Sequence, residues 1–233
     1  MQESAITLAG QLIANGDPDL FKIIGLSLRV SLTSVLLSLL VGLSLGAALA
    51  IGHFRGRQVL NILINALMSM PPVVIGLLVY LALSRSGPLG WLGLLYTPSA
   101  MIIAQTMLIA PLIAALSRQV IEDLYIEYRE QFTSLQLNRT QKIKALLWDA
   151  RYSLSTVALA GLGRALSEVG AVIIVGGNIE HLTRVMTTAI ALETSKGDLA
   201  LALALGLILL CLALLINILL ASLNLTAKRQ AYA

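Results

Sequence analysis

Apolar residues run through this chain in blocks too long for the core of a soluble domain. Five stretches, roughly residues 23–51, 59–83, 99–117, 153–176 and 199–223, carry few or no charges. Uncharged runs of about 18 or more residues read as spans of a hydrocarbon core about 30 Å thick. The pattern therefore predicts an all-α polytopic membrane protein with about five transmembrane helices. The first run holds Arg29 near one end, where a long stem can reach the headgroups. That run is also longer than a span needs, so it tilts or protrudes. Pro71, Pro72 and Pro111 fall inside the second and third runs and are expected to kink them. Gly42 and Gly46 on the first run have the spacing of a close helix–helix contact.

Between residues 118 and 152 the pattern changes. Ile121, Leu124, Tyr125, Tyr128, Phe132 and Leu135 recur at helical spacing, opposite a face of Glu122, Asp123, Glu127, Glu130 and Gln131. Asn138 with Gln141 three positions on is a capping-box signal, and Ile143, Leu146, Leu147 and Ala150 form a second short stripe. Two amphipathic helices joined by a turn are predicted. Either they lie in the membrane interface or they form a knob on which a partner docks.

Composition agrees with the membrane reading. Of 233 residues, 58% are hydrophobic and only 12% charged, with mean hydropathy +0.88; a soluble domain has about 25% charged residues. Charge then orients the chain. Arg55 and Arg57 lie between the first two runs, Arg118, Arg129, Arg139, Lys142, Lys144 and Arg151 between the third and fourth, and Lys228 and Arg229 in the tail. The opposite side carries Lys22, Arg85, Arg184 and Lys196. The positive-inside rule puts the N-terminus outside and the C-terminus in the cytoplasm. The expected order is an external segment over 1–22, a transmembrane domain over 23–223 with its cytoplasmic loop at 118–152, and a cytoplasmic tail over 224–233. Residues 1–22 have no basic start, so a cleaved signal is not expected.

Several chemistries are not supported. No basic stripe alternates with aromatics, so the high pI of about 9.4 reflects loop sorting and not nucleic-acid binding. The single Cys211 permits no disulfide within the chain and reads as a small hydrophobe. His53 and His181 are too far apart in sequence to argue a metal site. No phosphate-binding G-x-x-x-x-G-K-[ST] occurs.

The stretch "GRALSEVGAVIIVGGNI", residues 163–179, places Arg164 and Glu168 within an apolar run, with Gly161 and Ala165 on the same helical face. Ions at membrane depth cost about 2.5–3.5 kcal/mol each on insertion scales and usually pair. Two readings follow: a clamp that fixes helix register at a buried interface, or an arginine lining the path of an anion. Gly176, Gly177 and Asn178 suit a left-handed helix end. Thr183, Arg184, Thr187 and Thr188 either pack or line an outer vestibule that accepts an anion.

The two-helix insert followed by this stretch resembles the permease subunits of binding-protein-dependent ABC importers. "GRALSEVGAVIIVGGNI" is similar to the signature of molybdate, tungstate and sulfate permeases. "TRVMTTAIALETSKGDLALALALGL", "MSMPPVVIGLLVYLALSRSGPLG" and "TPSAMIIAQ" look like the tungstate branch. The resemblance covers nearly the whole chain. It implies a non-catalytic subunit of an ATP-driven oxyanion importer in the inner membrane, tungstate first and molybdate or sulfate behind. It also implies a homodimer, cytosolic ATPases that bind the ATP and magnesium, and an external substrate-binding protein.

In that family the loop before the last two spans inserts into a cleft on the ATPase, with the pattern Glu-Ala-Ala, three residues, then Gly. Here Glu130-Gln131-Phe132 takes the first place and Gln136 stands at the glycine. The resemblance thus implies coupling by Glu127, Tyr128, Glu130, Phe132, Leu135, Gln136 and Asn138, with Asn138 expected to supply the left-handed turn. Two other classes fit less well. A proton-coupled transporter using Glu168 would need a repeat that the chain lacks, and a membrane scaffold would use only the cytoplasmic helices.

Overall fold

The computed structural model describes residues 5–52 and 54–231, without the side chains of residues 5, 220 and 223–231. His53, residues 1–4 of the segment expected outside, residues 232–233 and the side chains of Lys228 and Arg229 in the expected tail lie outside the described residues. The chain is all-α. In order come α1 (Ala5–Ala14), α2 (Pro18–Ile51), α3 (Arg57–Met68), α4 (Pro72–Leu83), a short 3-10 turn at Gly90–Leu92 and α5 (Pro98–Glu127). Then follow α6 (Arg129–Ser134), α7 (Arg139–Asp149), α8 (Arg151–Leu166), α9 (Gly170–Gly176), α10 (Met186–Lys196) and α11 (Leu199–Ala231).

Among the described residues, three helices, α2, α5 and α11, are long and apolar enough to cross a membrane alone. The pairs α3–α4 and α8–α9 qualify only together, bent by 100° and 57°. The run 59–83 is therefore two helices meeting at a sharp break, not one continuous helix. Pro71 and Pro72 remove two backbone donors in succession, and the chain restarts as a new helix with Pro72 in its first turn. The run 153–176 likewise divides, at residues 167–169. Pro111, in contrast, sits inside α5 without ending it. α2 begins where Asp17 Oδ1 accepts from the N–H groups of Asp19 and Leu20 at 2.9 and 3.1 Å, with Pro18 at its first position.

Contacts divide the chain into two compact units. The first comprises Met1–Ser34, Pro71–Gln105 and Gly163–Ile216. In it α4 packs closely on α9: a Cβ added at Gly76 would come within 2.8 Å of Ala171 Cα. Ile75, Val79, Ala171, Val172 and Val175 are buried around this contact. Ser27 accepts from the Met186 N–H at 2.7 Å, tying α2 to the start of α10.

The second unit comprises Val35–Met70, Thr106–Leu162 and Asn217–Ala233. Here α2 meets α5 through small residues. Ser38 donates to Thr106 O at 3.3 Å, and a Cβ added at Gly42 or Gly46 would lie 2.9 or 2.8 Å from the carbonyls of Ala110 or Ala114. The glycine spacing on α2 was legible as a packing face. Its continuation through the buried serines Ser34 and Ser38 was not singled out.

Candidate functional site

The amphipathic insert is built differently from two equal surface helices. α5 continues to Glu127, so Ile121, Leu124 and Tyr125 belong to its end, and the chain turns at Tyr128 into the short α6. Phe132 is only 5% exposed. It lies in a core with Ile121, Leu146, Ala47, Ala50 and Ile51, and its ring centroid is 6.3 Å from Tyr125 and 5.8 Å from Tyr128. Phe132 therefore supports the helix pair from beneath and is not presented at the surface. Leu135, 68% exposed, is presented, together with Glu127, Glu130, Gln136 and Asn138. Tyr128 is half-buried, and the Asp149 carboxylate beside it, followed by burial, raises its hydroxyl above the ordinary phenol range.

The turn corrects a detail of the sequence reading. Asn138 is not left-handed: it caps α7 with φ −74°, accepting from Gln141 N–H and donating its own N–H to Gln141 Oε1, both at 2.9 Å. Gln136 itself takes the left-handed conformation, with φ 49°, at the position where the Glu-Ala-Ala pattern has glycine. A side chain in that region costs about 1 kcal/mol. Gln136→Gly is thus expected to stabilise the protein by about 1 kcal/mol, read as a higher midpoint of thermal unfolding. An unchanged or lower midpoint would show that the Gln136 side chain makes a compensating contact.

An ion triad holds the same unit together. Arg57 donates through Nε to Leu49 O at 2.7 Å, at the end of α2, and through Nη2 to Glu122 Oε1 at 2.7 Å. Arg118 reaches the other oxygen of Glu122 at 2.5 Å. Sequence reasoning used these residues only as topology charges or as a polar face. The i, i+4 spacing of Arg118 and Glu122 was the available signal.

In the first unit, α8 ends at Leu166 and Glu168 sits in the turn before α9. Its Oε1 accepts from Ala171 N–H at 3.1 Å, so the carboxylate caps the new helix. Arg164 Nη2 lies 3.9 Å from Oε2, and its side chain is 43% exposed against 4% for Glu168. Glu168 is thus anchored to backbone first and to Arg164 second. Ala165 is buried and its carbonyl accepts from Gln105 Nε2 at 3.1 Å. Gly161, in the second unit, faces Ile109 and Ile113 of α5. Gly161 thus lies close against α5.

A cavity of about 10 Å3, room for one water, lies among Ser27, Ser31, Gln105, Glu168 and Thr187. Gln105 Oε1 is buried there without a partner among the described residues. Gln105 was not foreseen as part of this cluster, because a lone glutamine in an apolar run carries no spacing signal.

The hydroxyls after α9 are internally engaged. Thr183 donates to Gly176 O at 2.6 Å and accepts from Ile179 N–H at 2.9 Å, and Thr187 donates to Glu168 O at 2.8 Å. Asn178 Nδ2 donates to Thr188 O at 3.2 Å, while Thr188 Oγ1 accepts from Val185 N–H. Gly177 and Asn178 are both left-handed, with φ 70° and 49°. Arg184 pairs with Glu180 at 3.1 Å and lies 3.7 Å from Glu193.

A family model described as binding-protein-dependent transport system inner membrane component matches residues 34–228. The chain is 40% identical over 215 residues to a tungstate uptake system permease protein of Peptoclostridium acidaminophilum, covering 92% of this chain and 94% of that protein. It is 42% identical over 185 residues to a probable anion ABC transporter permease protein of Haloferax volcanii, covering 77% and 80%. In shape it is similar to a chain of a bacterial ABC transporter involved in the import of the acidic polysaccharide alginate. There the TM-score is 0.69 at 19% identity, over 91% of this chain and 80% of that one. At that identity the likeness concerns the fold alone.

Proposed function

We propose, from the premise that this chain belongs to the family of binding-protein-dependent transport system inner membrane components, that it forms the translocation pathway of an ATP-driven tungstate importer. The chain is the non-catalytic, membrane-spanning subunit. The observation that carries the substrate is the 40% identity, over nearly both full lengths, to a tungstate uptake permease. Molybdate and sulfate are the nearest alternatives.

Two copies would enclose the pathway, since three to five spans are too few to build gates alone. The charge distribution supports an inner-membrane topology with the N-terminus outside and the C-terminus in the cytoplasm. ATPase subunits, which hold the ATP and magnesium, would dock on α6 and α7 at Leu135 and its polar neighbours. Their closure would move that helix pair. The Phe132 core and the Arg57–Glu122–Arg118 triad would carry the movement to the end of α2 and to α5. An external binding protein would select the ion, so the pathway needs only to admit a small dianion. Weak, transient contacts suit such a route better than a tight site.

The test is purification of the chain with its native partners and reconstitution into vesicles. An ATPase should co-purify, its turnover should rise with the tungstate-loaded binding protein, and labelled tungstate should enter the vesicles. Unlabelled molybdate and sulfate should compete only weakly. Equal competition by sulfate would overturn the substrate, and uptake driven by a proton gradient without ATP would overturn the mechanism.

A further inference from the structure

The first unit contains a second site that the transport reading does not use. A cavity of about 430 Å3 opens beside the start of α2, walled on its apolar side by Leu12, Leu20, Ile23, Leu26, Leu182 and Leu201. A neighbouring cleft of about 500 Å3 shares Leu12, Asp17 and Asp198 and extends the wall to Leu8 and Ala200. The first cavity is also lined by Lys22, Arg29 and Arg184 and by Asp17, Asp19, Glu180 and Asp198.

The bonding of these charges leaves specific groups over. Asp17 Oδ1 caps α2, and Asp198 Oδ1 accepts from Leu201 N–H at 3.2 Å. Lys22 pairs with Asp19 Oδ1 at 3.0 Å, where His181 Nδ1 also lies at 3.8 Å, and Arg184 pairs with Glu180 Oε1 at 3.1 Å and lies 3.7 Å from Glu193. Arg184 Nε is buried without a partner, and the Arg29 guanidinium makes no side-chain bond among the described residues. Donors open to a ligand are therefore left at Arg29, and acceptors at the second oxygens of the carboxylates.

We propose that this cavity binds the headgroup of a zwitterionic aminophospholipid of the phosphatidylethanolamine type. The phosphodiester lies on Arg29, whose fork matches two phosphate oxygens. The primary ammonium, with three donors, lies among the carboxylates, and the acyl chains follow the leucine wall into the neighbouring cleft. Charge decides against a free tetrahedral dianion, which would meet four carboxylates beside three fixed cations. A quaternary ammonium carries no N–H to offer those oxygens. The proposal rests only on the membrane-spanning part of the functional reading, not on the substrate.

The complete transporter, stripped of lipid in detergent, is titrated with dioleoyl phosphatidylethanolamine, phosphatidylcholine or phosphatidylglycerol and read by native mass spectrometry. Phosphatidylethanolamine adducts should be retained about tenfold better than the other two. Arg29→Gln, which removes the phosphodiester contact, should lower phosphatidylethanolamine retention about tenfold. Leu201→Trp, which fills the wall without touching a charge, should also displace the lipid, and it serves as the second arm if Arg29→Gln folds poorly. Equal retention of all three lipids, or wild-type retention by Arg29→Gln, overturns the proposal. So does Arg29-dependent binding of tungstate alone that displaces the lipid. Absence of adducts together with cross-linking of Arg29→Cys between copies, in a Cys211→Ser background, would reassign the cavity to a contact between copies. Lipid failure with normal tungstate uptake leaves the transport reading standing.

Discussion

Replacing Glu168 by leucine is expected to remove nearly all transport-competent protein, whereas Glu168→Gln keeps most of it. The carboxylate is 4% exposed and its Oε1 caps α9 through the Ala171 N–H. A leucine there leaves a buried donor unsatisfied at the start of a helix, costing about 3 kcal/mol with the lost charge at the helix end. Glutamine keeps the acceptor and forfeits only the charge, a loss of about 1 kcal/mol. Arg164, 43% exposed and 3.9 Å away, contributes less than its spacing promised, so Arg164→Met should be mild in stability.

The double variant Arg164→Met/Glu168→Leu separates cap from clamp. A buried pair whose worth lies in mutual compensation recovers when both members become apolar. A cap does not recover, because the Ala171 N–H stays unsatisfied. Folded yield, thermal midpoint and tungstate uptake should therefore be as low in the double variant as in Glu168→Leu. Substantial recovery would restore the clamp as the main role. Normal folding of Arg164→Met with lost uptake would instead place the arginine on the path of the anion.

Phe132→Ala should cost about 3–5 kcal/mol, since the ring is 5% exposed among Tyr125, Tyr128 and Leu146. That loss would unseat α6 and α7 and abolish stimulation of the ATPase by the binding protein. Leu135→Ser, at a side chain 68% exposed, should change the unfolding free energy by no more than about 0.5 kcal/mol. It should nevertheless cut stimulation about tenfold if Leu135 fills a cleft on the partner. Normal stimulation in Leu135→Ser would mean that the helix pair docks through its polar residues, and an unchanged midpoint in Phe132→Ala would contradict the packing.

Much of this architecture was legible in the chain because its signals are local. Apolar blocks of membrane length, Gly42 and Gly46 four apart, Asn138 with Gln141, and the glycine pair before Asn178 each act within a few residues. What escaped were places where distant segments decide. Phe132 reads as an exposed member of a stripe until the end of α2 arrives over it with Ala47, Ala50 and Ile51. Arg164 and Glu168 read as helical neighbours until the backbone turns between them and the carboxylate finds Ala171. Gln136 in the left-handed region defies residue preference, which is why the turn was expected at Asn138 instead.

The buried Phe132 and the reciprocal Asn138–Gln141 cap have a bearing on biogenesis. A helix pair seated on its own chain is finished before any cytosolic subunit arrives. Association then orders little new structure, so it should proceed at the rate of two preformed surfaces meeting and need no folding step. A newly inserted permease can then wait in the bilayer without displaying Phe132 to proteases or chaperones. The order in which subunits are synthesised then ceases to matter for the quality of the assembled machine.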